Sequence, residues 1–506
     1  MPDNSLSSAA FVPDVAIARL PSASYPVFHD TAANGNGDPV SQALARLANS
    51  LGWSDESGPF GKVIPAGARV LIKPNMVLHE NDDPRHKNQA GLDCLVTHAS
   101  VIRAATEAAL LTGAAEVLVG DAPIQGCDFE ALMQATGLDK WSHELRTRDP
   151  RFKGVRDFRR TTCVIVHGVR VAAENLQSED HFTLFDLGRE SLLEPISGDD
   201  HRFRVAWYDH RLMAKTHHPG KHQYLVAREV MDADVIINLP KLKTHKKAGV
   251  TCALKNLIGI NGNKEYLPHH RLGGPKTGGD NYPDDGIVKR ALEYVSDRQN
   301  VTTSYAGGML WHLFFALLVR TSRARGDRVG MDGSWSGNDT IWRTCLDLNR
   351  ILLFGRADGT TGEGAKGGGK MSEEMQRRVI HIADAIVAGQ GNGPLAPEPL
   401  ELGLMLGSNN PAAMDWVGAQ VLAYDPEKIS LVRHAFDSFH WPIANFSSDA
   451  VRVVGDLGAG SPEKLLSAVR RCVTHPVGWR DAAIKVTDQC GGDDKDLVAS
   501  VDPTDA

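Results

Sequence analysis

The chain has 506 residues, 42% of them hydrophobic and 23% charged, with a formal net charge of -7. This length allows two or three domains with large cores, and the overall acidity excludes a general nucleic-acid binder, whose domain would be basic throughout. Seven cysteines are scattered without a C-x-x-C pair, so no zinc finger or iron-sulfur cluster is spelled out, and the odd count in a long chain predicts a reducing cytosol.

The first residues, MPDNSLSSAAFVPD, have no basic stretch leading into an apolar core, so they do not read as a secretory signal. Residues 1–14 and the NGNGDP stretch near Asn34 read as a loose start, Val15 to Leu20 as an edge strand and Val40 to Leu51 as a helix. Ala68 to Ile72 is an apolar run suited to a buried strand, and it ends at Lys73, Pro74 and Asn75. Thr97 is placed to cap a helix running to about Thr112, with Val101, Ala104, Ala105, Ala108 and Leu111 inward and Gly113 past its end. Glu116 to Val119 then completes a βαβ unit with Asp121 at its carboxyl end, and Asp128 caps a short helix that stops near Gly137. Cys163 to Val166 and Val169 to Val171 read as paired strands in a mixed, charged region.

His201, His210, His217, His218 and His222 crowd one stretch, but no carboxylate stands at a defined spacing, and Pro219 with Gly220 keeps His218 and His222 off a common helical face. No metal site is assigned. Leu225 to Met231 reads as helical. Val235 to Leu239 then forms a run suited to a strand covered on both faces, and Pro240 ends it. From Val235 to Lys264 the chain carries six lysines and one histidine with no acid, a cluster that is repulsive without a counter-charge. Lysines 241 and 243 and His245 are expected on a basic loop at the carboxyl end of a parallel strand, where ligands of open α/β sheets collect. Thr251 is expected to open a helix with Ala253, Leu254, Leu257 and Ile258 on one face, Thr251 and Lys255 on another, and Gly259 or Gly262 ending it.

A Gly- and Pro-rich loop with His269, His270 and Arg271 follows and reads as a lid or insert. Met309 to Val319 is strongly apolar but too short to span a bilayer. The arginines at 320, 323, 325 and 328 would suit an interfacial helix lying on a membrane surface over 309–328, and a buried core helix with solvated arginines is the preferred reading. Gly364, Gly369 and Lys370 match G-x-x-x-x-G-K, but Met371 stands where a magnesium-holding hydroxyl is needed, so the segment reads as a linker or lid. Val379 to Ala388 and Leu402 to Leu406 read as strands, the first interrupted by Asp384 and followed by GQGNGP. Asn409 or Asn410 with Pro411 starts a helix carrying Asp415, and Asp425 with Pro426 opens another. The acidic stretch 488–506 reads as disordered.

These elements predict an α/β protein with a mainly parallel sheet and flanking helices, in two lobes meeting at a basic cleft. The expected divisions are an N-terminal lobe at 15–140, a mixed connection at 141–200, a main lobe at 201–435 with a helical, Gly-rich insert at about 270–375, and a C-terminal extension at 436–487.

Lys73-Pro74-Asn75, Thr97 before a helix ending at Gly113, Pro240-Lys241-Leu242-Lys243-Thr244-His245, Thr251, Lys255-Asn256 with Gly259, and GNGP followed by Asp415 together resemble the domain-of-unknown-function 362 family over about residues 65 to 435. His98-Ala99 departs from the proline that members tend to carry just after the threonine. The resemblance implies a bacterial or archaeal α/β protein of unassigned activity. Some relatives carry ferredoxin-like modules, whose cluster cysteines this chain lacks, so an electron-transfer role is disfavoured and no iron-sulfur cluster is expected.

The leading expectation is a cytoplasmic enzyme acting on a phosphorylated, nucleotide-linked or carboxylate small molecule. Lys73, Lys241 and Lys243 would hold charge, Asn75 and Asn256 would orient polar groups, and Thr244, Thr251 and His269 would line the site. His245, Lys255 or Asp415 would serve as acid or base, since a lysine among cations has its ammonium form disfavoured. The alternative is a non-catalytic protein that holds an anionic metabolite or an acidic partner.

Overall fold

The computed structural model describes residues 12–26, 28, 38–166, 169–358 and 367–484. The stretch near Asn34, Gly364, the tail 488–506 and most of the expected loose start lie outside these residues. The central sheet contains β1 (Asp14–Arg19), β2 (Arg69–Pro74), β3 (Glu116–Asp121), β4 (Phe152–Asp157), β5 (Val235–Leu239), β6 (Lys241–His245), β7 (Gly249–Thr251), β8 (Arg378–Asn392), β9 (Ala396–Ser408) and β10 (Arg452–Gly455). The helices that matter below are α1 (Pro39–Ser50), α2 (Ala99–Leu111), α3 (Ala253–Asn256), α4 (Ile287–Val301), α5 (Tyr305–Ala324), α6 (Ile341–Phe354) and α7 (Pro411–Val421).

The strand order is β10-β1-β9-β8-β5-β2-β3-β4, with β6 pairing β8 and β7 folding back on β6. Along that path only β9 runs against the others, so the sheet is mainly parallel, as expected. Strands from 15–140 and from 201–435 are direct neighbours in it, because Val235–Leu239 pairs with Val70–Pro74. Successive residues of β5 enter opposite cores: Val235, Ile237 and Leu239 pack with α1 and α2, whereas Ile236 packs with α3, α6 and α7. A strand with both faces covered needs the continuous apolar run that its sequence shows.

Several local expectations change. The strand β1 is internal, paired with β9 and β10, not an edge. His98 caps α2 through Nδ1, which accepts from the Ser100 amide, while Thr97 donates its hydroxyl to the Leu239 carbonyl and accepts from the Asn75 amide. Thr97 therefore ties β2 to β5 instead of starting the helix. Leu225 to Ala227 closes a strand, Lys221–Ala227, and the following helix is only Arg228–Asp232. That strand belongs to a second sheet with His217–His218, Phe182–Asp186, Gly367–Met371 and Gly355–Ala357, which places Lys370 in a strand. Asp347 of α6 anchors this sheet by accepting from Tyr224 Oη at 2.9 Å, and Arg350 of the same helix donates to it at 2.8 Å. His217 and His222 are buried within it, and His217 Nε2 donates to the Tyr266 carbonyl at 2.9 Å. Among the described residues no three His, Cys, Asp or Glu side chains are grouped to hold a metal ion.

The largest change is at the expected basic loop. Lys241 to His245 is a strand, buried along its length, because β6 lies beside the long β8 and faces its acid. Lys241 Nζ donates to Asp384 Oδ2 at 2.6 Å, to the Tyr25 hydroxyl at 2.6 Å and to the Val387 carbonyl at 3.2 Å. The Tyr25 hydroxyl in turn donates to Asp384 Oδ1 at 2.7 Å. Replacing Lys241 by Met leaves Asp384 charged and unpaired in the core, so Lys241→Met is expected to destabilise by about 3–5 kcal/mol in urea unfolding. The double change Lys241→Met with Asp384→Leu should recover most of that. A single-mutant loss under about 1 kcal/mol would show that the pair is solvated.

Candidate functional site

Strands β2, β3 and β5 run in parallel, so their carboxyl ends lie side by side. There Lys73 Nζ meets Asp121 Oδ1 at 2.7 Å, both side chains fully enclosed. The carboxylate also accepts from the Met76 amide at 2.6 Å and the Ala122 amide at 2.8 Å, so its charge is held by three donors. Gly259 presses on this pair: a Cβ there would lie 1.9 Å from Asp121 Oδ1 and 2.8 Å from Lys73 Nζ. Gly259, read from sequence as a helix stop, is thus required for close approach.

Around this pair stand more lysines. Lys264 Nζ donates to the Ala122 carbonyl at 2.9 Å, Lys243 Nζ to the Leu95 carbonyl at 2.6 Å and the Pro394 carbonyl at 3.2 Å, and Lys247 Nζ to the Asp332 carbonyl at 2.8 Å. Lys255 differs. It is only 9% exposed, and among the described residues its ammonium has no hydrogen-bond or ion-pair partner. Burial lowers its pKa, with Lys73 adding repulsion against the opposing pull of Cys345 and Asp121. Its charge in turn lowers the basicity of Lys243, His245, Lys247, Lys264 and His269, so Lys255 is the common neighbour of the whole cluster. Burial pulls both Lys243 and Lys264 down to about 7.

The two histidines are fixed in complementary tautomers. His245 Nδ1 accepts from the amides of Lys247 at 3.0 Å and Ala248 at 3.2 Å, so the ring proton sits on Nε2 and the imidazole offers a donor. His269 Nδ1 lies 2.7 Å from the Leu267 carbonyl, which can only accept, so its proton is on Nδ1 and Nε2 keeps a free lone pair. Burial and the nearby ammonium groups push both far below the usual histidine range, so both are neutral at pH 7. His269, expected only as a lining residue, is the one shaped as a base. The second, His245, is shaped as a donor.

Asp415 is buried in α7 and has no lysine partner among the described residues; it accepts from the Leu254 amide at 3.2 Å and so ties α7 to the start of α3. Burial pushes it up to about 7. The helix it meets is four residues long and begins after Cys252, not Thr251, so it supplies no extended N-terminal dipole. Lys241 has its three donors occupied inside the protein, and Thr244 donates to the Gly391 carbonyl, so these two lie outside the cluster's free chemistry. Asn256 Nδ2 bonds Asn238 Oδ1 at 2.7 Å, while Asn256 Oδ1, Asn75 Oδ1 and Thr251 Oγ1 are buried with no partner among the described residues.

Lys73, Lys241 and Lys243 are fully buried, and Lys255 keeps 9% exposure. The Asn338 side chain donates to the His269 carbonyl and Lys247 reaches Asp332, which ties residues 264–285 and 327–340 to the cluster. A cavity of about 480 Å³ bounded by Tyr25, Asp93 and His98 opens beside the Lys241–Asp384 pair and does not reach Lys255. Sequence reasoning left Asp121, Lys247 and Lys264 out of the site. The available signal was Asp121's place at the carboxyl end of a parallel strand next to the strand that ends in Lys73.

Residues 196–420 match the family described as Domain of unknown function (DUF362), which supports the resemblance drawn from the motifs. A thylakoid-associated protein of Synechocystis sp. is 24% identical over 204 residues, covering 40% of this chain and 37% of that protein. The matched segment thus spans well under half of that relative's length. A crystal structure of a Thermotoga maritima protein aligns with 76% of this chain and 58% of its own, at 10% identity and a TM-score of 0.29.

Gly259→Ala places its methyl inside the Lys73–Asp121 contact and is expected to lower stability by about 3–5 kcal/mol, the range for splitting a buried ion pair. Calorimetric melting checks this, and an unchanged melting temperature would mean that the pair moves aside freely.

Proposed function

We propose that the lysine cluster binds an anionic small molecule and that the protein is an enzyme acting on it. The observation that carries this reading is the Lys255 ammonium, which keeps a small solvent contact but has no hydrogen-bond or ion-pair partner among the described residues, beside Lys73, Lys243, Lys247 and Lys264, with Asp121 the nearby carboxylate. A buried cation without a partner is costly, and a phosphate or carboxylate group would supply the missing charge. In this reading Lys255 and its neighbours hold the anion, His245 Nε2–H donates to it, and His269 Nε2 takes a proton from the bound molecule. The unpartnered Asn75, Asn256 and Thr251 oxygens accept from its hydroxyl or amino groups. Entry requires residues 327–340 to part from Lys247 and His269.

The second reading, a binding protein without chemistry, uses the same lysines but does not need the His269 lone pair. In a melting screen against phosphates, nucleotides, nucleotide sugars and carboxylates, an anion at a hundredfold its dissociation constant should stabilise the native chain by about 2.7 kcal/mol. Lys255→Met removes a largely buried cation that has no partner among the described residues, so without ligand it should be at least as stable as the native chain, yet it should lose the anion's effect. A variant that keeps the anion's full effect would place the ligand elsewhere. For the anion so found, His269→Gln should abolish its conversion, read by mass spectrometry, while sparing the melting shift; conversion at the native rate would favour the second reading.

The pH dependence has a definite sign. Lys243 and Lys264 carry protons below about 7 and lose them above it, where the unfolded chain still holds them near its ordinary lysine value. Stability without ligand gains from these two lysines as pH rises from about 7 toward 10. Anion affinity should move the opposite way and weaken through the same window. Isothermal titration at several pH values checks this, and an affinity that rises with pH would remove these lysines from the site.

A further inference from the structure

The helix α5 is not the buried core helix that its apolar sequence suggests. Leu310, Leu313, Phe314 and Leu317 are 54, 60, 49 and 60% exposed, at the i, i+3, i+4, i+7 spacing that puts them on one face. The opposite side is where α5 is packed. Gly308 lies so close to Val169 that a Cβ would meet it at 2.6 Å, and α4 runs alongside, joined by residues 302–304. The outward stripe is widened by α4, whose Tyr294 is 60% exposed and meets Trp311 edge-on at 6.3 Å.

The acids of α4 nearest this face are engaged inside the protein, Asp297 with Arg204 and Glu293 with the Gly273 amide and Asn281, which leaves the arginines as its outward charge. No acid occurs from residue 298 to 326, while Arg298, Arg320, Arg323 and Arg325 are exposed there, with Arg290 and Arg328 just beyond. Arg298 stacks over Trp311 at 5.8 Å, holding a cation against the aromatic edge of the stripe. Asp327, the first acid after the helix, is already paired with Lys289. No helix of the described residues is long and apolar enough to cross a membrane. Leucines with Trp and Phe on one face, arginines beside them and no span is the pattern of a helix that lies in the headgroup region of a bilayer.

We propose that the α4–α5 hairpin docks on an anionic lipid surface, with Leu310, Leu313, Phe314 and Leu317 entering the headgroup boundary and Arg298, Arg320 and Arg325 meeting lipid phosphates or carboxylates. This stands apart from the lysine cluster and does not depend on its ligand. The test is flotation of the full chain with vesicles of phosphatidylcholine alone or mixed with phosphatidylserine. Binding should be at least about tenfold stronger to the mixed vesicles and should fall as salt is raised. Arg320→Glu with Arg325→Glu should weaken it by roughly fivefold or more per site. Leu313→Glu with Leu317→Glu should abolish it while leaving the melting temperature unchanged, because both side chains face water. Failure to float with mixed vesicles, equal binding of native and variant chains, or a lowered melting temperature in the leucine variant would overturn the proposal. So would a native dimer, seen by sedimentation, that the leucine variant dissolves, since a second copy would then cover the face.

Discussion

The interior of this protein is organised by the cost of taking ammonium groups out of water. An isolated buried charge is penalised by several kcal/mol after relaxation, so each enclosed lysine must meet an acid or a set of carbonyls or else lose its proton. Lys241 meets Asp384 and Lys73 meets Asp121, each at the shortest range an ion pair allows. Lys243, Lys247 and Lys264 are held by backbone carbonyls. These obligations connect β2, β3, β6 and β8 with the segments at residues 95, 332 and 394, and so they decide much of how distant parts of the chain are arranged.

Lys255 is left over from this arrangement, and it sits where the carboxyl ends of the parallel strands converge. Satisfied pairs such as Lys241–Asp384 hold the fold together and have no capacity left for a ligand. In the function proposed for the cluster, an unsatisfied ammonium beside two neutral histidines of opposite tautomer does the reverse and favours a guest. The separation of the two kinds of lysine follows from their partners, not from their residue type or spacing.

The exposed stripe of α5 is a second place where the molecule departs from the lowest-energy arrangement for a protein alone in water. Four large apolar side chains in a row would ordinarily turn inward, since each gains about 1.5–3 kcal/mol by burial. Here the inward side of α5 is occupied by the close approach of Gly308 to Val169, and the apolar face is turned out beside arginines.

By itself the sequence determined the fold class and most of the scaffold. The apolar runs of β2 and β5 announce strands buried on both faces, Asp128 and Asn410 cap the helices expected of them, and the clustered lysines at 235–264 mark where the charge is concentrated. These are local signals, set by periodicity, capping chemistry and composition within a few residues. The tertiary structure alone decided which lysines are neutralised, because Asp384 lies 143 residues from Lys241 and Asp121 lies on a different strand from Lys73. It also decided that Lys241 to His245 is a strand, since a polar K-L-K-T-H segment enters a sheet only when its neighbours supply counter-charge. The outward turn of α5 was equally illegible, because an apolar helix carries the same residues whether it faces a core or a membrane, and only packing chooses the face.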